Sequence, residues 1–204
     1  MTDHVFETTS SQLLHSGKIF ALRRDEVLMP GGAIATRDVV EHFGAVAVVA
    51  LDTEGRVPLI YQYRHALGRR LWELPAGLLD VGGEPSHLTA GRELVEEAGL
   101  TASTWQVLVD LVSTPGFSDE SVRVYLATGL TEVDRPEAHD EEADLQVKRV
   151  PLTEAVRMVF AGEIVNVLAV AGILAASSRP DGLRAVDAPW EDRPTVLRAR
   201  RANA

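Results

Sequence analysis

Apolar and polar positions alternate unevenly along the chain, and the unevenness separates the elements. Residues 45 to 51, Ala-Val-Ala-Val-Val-Ala-Leu, form an unbroken apolar run that reads as a buried strand. Turn residues follow at 52 to 55, and residues 57 to 63 predict a second strand, so the pair reads as a hairpin. Upstream, residues 6 to 42 hold short alternating stretches broken by Met29-Pro30-Gly31-Gly32, which predicts two or three antiparallel strands. A piece of about 40 residues rarely builds its own core, so it is expected to pack on the main domain or on a second subunit. Further on, Ser86 reads as an N-cap and Gly99 as a left-handed C′ residue, giving a helix of about 13 residues with Leu88, Leu94 and Val95 as its apolar stripe. Strands are expected at 105 to 112 and 122 to 127, a helix from near Thr153, capped in the pattern Thr-Glu-Ala-Val, and another over 165 to 176. Strands joined by hairpin-length connections, with helices between and after them, favour an α+β class over a doubly wound parallel sheet.

Composition narrows the chemistry. A chain of 204 residues that is 46% hydrophobic can bury one good core or a core plus a small extra layer. The absence of cysteine excludes a disulfide framework and a thiolate metal site, leaving oxygen-ligated metals. The start lacks a basic region followed by an apolar one, and the longest apolar run, 164 to 176, is interrupted by Asn166 and too short to span a bilayer; the chain reads as cytoplasmic. A net charge of −10 disfavours nucleic-acid binding, although a small anion can bind where a metal and a few arginines reverse the local field. From Arg179 onward the chain is rich in Pro, Arg, Asp and Ala and is expected to be partly disordered, with Trp190 as an anchor.

The helix ending at Gly99 carries the loaded pattern. Glu93 and Glu97 are four apart and Glu96 is three from Glu93, so the three lie near one edge of the helix. Like charges at that spacing cost an isolated helix about 0.2 to 0.5 kcal/mol per pair, and carboxylates near a helix C-terminus also oppose its dipole. A hard divalent cation would offset both costs, and Arg92 beside the group offers a bidentate partner to one carboxylate.

The string Gly77, six residues, Glu84, seven residues, then Arg92-Glu93-Leu94-Val95-Glu96-Glu97-Ala98-Gly99-Leu100 resembles the Nudix box. One residue more than the family pattern separates Gly77 from Glu84, where Gly82-Gly83 gives the backbone room to absorb it. The flanks, Tyr61-Gln62-Tyr63-Arg64, then Leu71-Trp72-Glu73-Leu74-Pro75-Ala76-Gly77, and Pro115 placed 15 residues after Leu100, resemble the ADP-ribose pyrophosphatase branch. The resemblance implies a mixed sheet sandwiched between helices over residues 44 to 178, preceded by an antiparallel β subdomain at 1 to 43 and followed by a tail at 179 to 204.

It also implies roles. The metal ligands would be Glu93 and Glu97 with the carbonyl of Ala76, and Glu96 as an auxiliary; the ion would be Mg²⁺, with Mn²⁺ as the alternative. Arg64, Glu73 and Arg37 would bind substrate, Arg37 reaching a pyrophosphate across to the partner subunit, and Ile19 or Phe20 would touch an adenine ring. The acidic loop 137 to 144 would supply the base, Glu142 by the family's following small residue, with Glu141 as the other candidate. The implied protein is a homodimer with exchanged N-terminal strands that cleaves ADP-ribose to AMP and ribose 5-phosphate. Hydrolysis of another nucleoside diphosphate sugar, or a Nudix-fold sensor that binds ADP-ribose without cleaving it, are the alternatives.

Overall fold

A computed structural model describes residues 4–137 and 144–202. The chain divides into two compact units, one of Met1–Gly44, Val112–Ser121 and Asp192–Ala204, the other of Ala45–Leu111 and Val122–Glu191.

In the first unit, β1 (Thr8–Ser16), β2 (Phe20–Leu28) and β3 (Ile34–His42) form one antiparallel sheet in that order. The break at Met29-Pro30-Gly31-Gly32 is the turn from β2 to β3. Gly31 and Gly32 there hold φ of 89° and 87°, a left-handed backbone that side chains with a Cβ resist. At the far end of β3, the loop around Pro115 is laced to the strand. Val40 donates its amide to the carbonyl of Phe117, Asp119 donates its own to the carbonyl of Val40, and His42 donates to the Asp119 carboxylate at 2.8 Å. A short C-terminal helix, α4 (Val196–Ala202), closes this unit by burying Leu197 with Ala21 and Phe43.

The second unit is built on β4 (Ala45–Ala50), which lies between β7 (Ala76–Leu78), antiparallel, and β9 (Ser121–Glu132), parallel; β8 (Leu100–Val112) completes the order β7-β4-β9-β8. Every residue of β4 is buried, and its period-two alternation feeds two separate cores. Ala45, Ala47 and Val49 pack with residues of α2 (Leu152–Phe160) and α3 (Val167–Ser177), among them Met158, Ala169 and Ile173. Val46, Val48 and Ala50 pack with Ala90 and Leu94 of α1 (Ser86–Ala98), and with Tyr125 and Val107. The mixed sheet is thus covered by helices on both faces. The fit is close at Gly172 of α3, where a Cβ would meet Leu74, Val124 and Val49 at 2.8 to 3.2 Å.

A second, antiparallel sheet has the order β10-β5-β6, from β5 (Arg56–Arg64), β6 (Arg69–Glu73) and β10 (Gln146–Pro151). The expected hairpin of residues 45 to 63 is therefore corrected. The turn at Asp52 forms, held by amides of Glu54 and Arg56 on the Asp52 carboxylate, but β4 and β5 go to different sheets. A strand apolar on both faces needs both edges occupied and both faces covered, and β7 and β9 fill the edges of β4.

Three details of the helices also differ from expectation. The residue before α1 is Pro85, and the Ser86 hydroxyl shares a hydrogen bond with Tyr125 Oη at 2.7 Å and does not cap the helix. Leu88 is 53% exposed; the face of α1 that is buried carries Thr89, Ala90, Glu93, Leu94 and Glu97. Before α2 stands Pro151, and the Thr153 hydroxyl makes no cap. The α3 start is capped by Asn166, which accepts from the amides of Leu168 and Ala169. Gly99 is the left-handed C-terminal residue of α1, with φ 64°.

Among the described residues, the chain from 180 to 202 makes packed contacts that its composition does not suggest. In the second unit Arg184 bridges to Val107, and Arg123 donates to the carbonyls of Ala188 and Pro189 and lies 4.8 Å from the Trp190 ring. Asp110 grips Arg123 through both carboxylate oxygens, at 2.7 and 3.0 Å.

Candidate active site

Helix α1 turns its carboxylates inward. Glu93 and Glu97 are 8% and 5% exposed, on the same face as Leu94, so two negative groups one turn apart are carried into the protein. A buried carboxylate needs donors or a cation. Glu97 accepts the backbone amide of Ala76 at 2.8 Å, which ties the helix to the start of β7. Glu93 crosses the next residue of that strand so closely that a Cβ on Gly77 would stand 2.1 Å from its carboxylate. A side chain on Gly77 would therefore displace Glu93, and the Glu97 bond brings the main chain of Ala76 to the same pair of carboxylates.

Arg92 organises the outer edge. One of its nitrogens meets Glu93 Oε1 at 2.8 Å and Glu96 Oε2 at 3.0 Å, and the other lies 3.8 Å from Glu84, whose carboxylate accepts the Thr89 hydroxyl at 2.7 Å. Burial opposes the charge of this guanidinium, but Glu93, Glu96 and Glu84 outweigh it and hold its pKa above the ordinary value. The extra residue in the loop before Glu84 thus leaves Glu84 beside Arg92.

Beyond α1, Arg135 donates to the carbonyl of Glu96 at 3.0 Å and lies over Gly99, where a Cβ would come within 3.0 Å of it. A cation at the last carbonyls of a helix complements its dipole, and here it offsets part of what the carboxylates oppose.

Arg64, at the end of β5, and Glu73, at the end of β6, are bound to each other. The guanidinium meets the carboxylate with Nε at 2.9 Å and Nη2 at 2.6 Å, and Gln62 donates to the same carboxylate at 3.3 Å. Glu73 is 2% exposed, whereas the Arg64 side chain is 42% exposed. The buried carboxylate fixes the planar fork.

Arg37 and Ile19 lie in the first unit, Arg37 on β3 and Ile19 just before β2; both are exposed. Glu142 and Glu141 lie outside the described residues. The segment that holds them is flanked by Asp144, which pairs with Arg70 of β6. Glu96 faces Arg92, and among the described residues no three His, Asp or Glu side chains converge as a ready-made metal site. What the structure gathers is a pair of buried carboxylates beside the main chain at the start of β7. That donor set is made of hard oxygens and fits Mg²⁺, which keeps several of its waters and needs few protein ligands.

Gln62 and Arg135 were not singled out from the sequence. Gln62 had a signal, since it shares a strand face with Arg64 at a spacing of two. Arg135 had none, because only the packing of the chain after β9 brings it to the end of α1.

Comparison with known proteins agrees with this geometry. The NUDIX domain family model matches residues 41–168, and the model of the nucleoside diphosphate sugar hydrolase N-terminal domain matches residues 6–40. The ADP-ribose pyrophosphatase of Mycobacterium tuberculosis is 66% identical, with 99% of each chain covered. That of Bacillus subtilis is 37% identical over 78% of this chain and 85% of its own. A crystal structure of an ADP compounds hydrolase shares the fold at a TM-score of 0.74 and 17% identity, covering 87% of this chain and 95% of that one. On its sequence, its fold and the helix that carries Glu93 and Glu97, the chain belongs to the Nudix family and, within it, to the branch of the ADP-ribose pyrophosphatases.

Proposed function

We propose that this protein hydrolyses the pyrophosphate bond of ADP-ribose, giving AMP and ribose 5-phosphate, with Mg²⁺ as its cofactor. The observation that carries the reading is the buried pair Glu93 and Glu97 set against Ala76 and Gly77. Two buried carboxylates one helical turn apart set hard oxygens together, the donors that a divalent cation takes. Support for the substrate comes from the 66% identical relative, whose name is ADP-ribose pyrophosphatase.

Glu93, Glu97 and the Ala76 carbonyl hold the cation, with Glu96 as an auxiliary ligand. When bound, the cation neutralises the diphosphate and lowers the pKa of water. Arg64, oriented by Glu73, engages a phosphate oxygen, and Arg37 contributes a second guanidinium from the partner subunit. Holding the diphosphate in this way supplies part of the positioning term in catalysis. Glu142 takes the proton of the attacking water, and Ile19 lines the adenine side.

The protein acts as a homodimer in the cytoplasm, with residues 1–43 serving dimerisation and substrate contact, 44–178 catalysis and 179–204 forming the tail. The exposed side chains of Leu13, Leu14, Phe20 and Ile34 on the N-terminal sheet, and of Ile19 just before β2, support the dimer.

Release of AMP from ADP-ribose with Mg²⁺ tests the reaction, and a protein that binds ADP-ribose without releasing AMP would be a sensor. A panel of nucleotide sugars tests the substrate. Another nucleoside diphosphate sugar is the second reading, favoured by the N-terminal family model.

A further inference from the structure

Residues 192–202 lie beyond both matching family models, which reach residue 168, yet they belong to the unit that holds Arg37. We infer that this C-terminal segment is a positioning strap for β3, and that Arg200 keeps Arg37 available to substrate; the inference rests on the proposed role of Arg37.

Glu41 of β3 is fully buried, and its carboxylate is gripped from two sides. Arg200 of α4 meets it with Nε at 2.9 Å and Nη2 at 2.7 Å, and Arg23 of β2 meets it at 3.0 Å. Leu197, one turn earlier in α4, is sealed with Ala21 and Phe43 beside it. Arg201 adds a bond to the carbonyl of Gly17.

Arg23 is shared. Its Nε also holds Asp25 at 2.8 Å, and Asp25 accepts the Ser11 hydroxyl at 2.6 Å. The strand register sets Asp25 directly opposite Arg37, with Arg23 opposite Val39 and Ala21 opposite Glu41, so these groups stand in successive rows on one face of the sheet. A polar chain therefore runs from Ser11 through Asp25, Arg23 and Glu41 to Arg200, and the cation that would contact substrate faces one of its carboxylates.

The consequence follows from charge balance. With Arg200 present, Glu41 is satisfied from both sides and Arg23 can serve Asp25. With Arg200 removed, Glu41, the more deeply buried of the two carboxylates, draws Arg23 fully to itself, while Asp25, 5% exposed, keeps the Ser11 hydroxyl. Asp25 then stands opposite Arg37 in the strand register without its share of Arg23, and captures it. Arg200 acts through other residues and touches no substrate, so it is a positioning residue.

The test uses the full chain with ADP-ribose and Mg²⁺. Arg200→Gln is expected to raise KM about tenfold, the equivalent of about 1.4 kcal/mol, with kcat changed by less than about twofold. Adding Asp25→Asn removes the captor and should return KM toward the wild-type value. In an Arg37→Ala background, Arg200→Gln should add nothing, since the residue through which it acts is gone. Arg200→Lys keeps the charge without the two-pronged grip and should give an intermediate KM, which provides the reading if Arg200→Gln does not fold. An unchanged KM in Arg200→Gln or Arg200→Lys, an equal rise in the Arg37→Ala background, or no effect of Arg37→Ala itself overturns the inference. If the wild-type protein does not cleave ADP-ribose, the proposed function fails separately. Amide exchange at Val40 and His42 then decides the strap: lost protection in Arg200→Gln supports it, and full protection overturns it.

Discussion

The Glu93 carboxylate lies against the backbone of Gly77 at a distance that leaves no room for a side chain, since a Cβ there would be 2.1 Å from it. Strand β7 and helix α1 are therefore coupled at the residues proposed to hold the metal. Gly77→Ala is expected to push Glu93 out of place, costing about 1 to 3 kcal/mol of stability as overpacking does. Activity should fall further than stability accounts for. A folded Gly77→Ala protein with wild-type kcat would show that the close approach has no bearing on catalysis.

Glu93→Gln and Glu97→Gln keep the shape of the side chains and remove the charge. Each should remain folded and lose about a hundredfold or more of kcat, the range seen when one group is removed from a charged reaction centre. Metal titration should show weakened Mg²⁺ affinity in both. Near-normal turnover of both variants at saturating Mg²⁺ would falsify their assignment as ligands.

Glu142 is proposed as the base, from a loop, whereas the metal ligands sit on a rigid helix. Glu142→Gln should lower kcat by about 10² to 10⁴, roughly 3 to 5 kcal/mol of barrier, and leave substrate affinity nearly intact. Glu141→Gln should cost much less. Reversed effects would move the role to Glu141, and less than a tenfold loss in either would remove the loop from the chemistry.

Asp110 reports on acid stability. Burial pushes its pKa upward, but the Arg123 and Arg184 guanidiniums hold it below the ordinary 3.8. A lowered pKa in the folded state means that its contribution is complete above the unfolded value and is lost as pH falls through the folded one. Thermal melts should therefore show stability falling below about pH 4, and Asp110→Asn should flatten that fall. An unchanged acid limb in the variant would assign the loss to other carboxylates.

The proposed homodimer is open to sedimentation. A fully active monomer would exclude it. Replacement of Leu13 and Ile34 on the exposed sheet by Ser is expected to weaken association without disturbing the helix that carries Glu93 and Glu97.

Much of this architecture is local and was legible in residue order. The strand at 45 to 50 announces itself because a wholly apolar run must be covered on both faces. Gly99 marks the end of α1 because only a residue without a Cβ enters the left-handed region cheaply. The carboxylates of the box are visible because their spacing places them on one helix edge and contradicts what an isolated helix prefers. Partnership over long sequence distances had no such signature. That β4 and β5 part company into two sheets depends on which edges β7 and β9 fill. Leu88 fits the apolar period but is left outside, while Glu93 and Glu97 are taken inside, because the side of α1 that meets β4 and β7 is chosen by the packing and not by the average polarity of the helix. Arg64 and Glu73 are nine residues apart, and the β5–β6 register sets Glu73 opposite Ile60 and Arg64 opposite Arg69, so the long Arg64 side chain reaches back along the strand pair, past Gln62, to the carboxylate. The grip of Arg200 on Glu41 spans 159 residues. Hydrophobic period and backbone freedom act within a few residues and can be read along the chain; the pairing of buried charges is decided by which segments the folded core brings together.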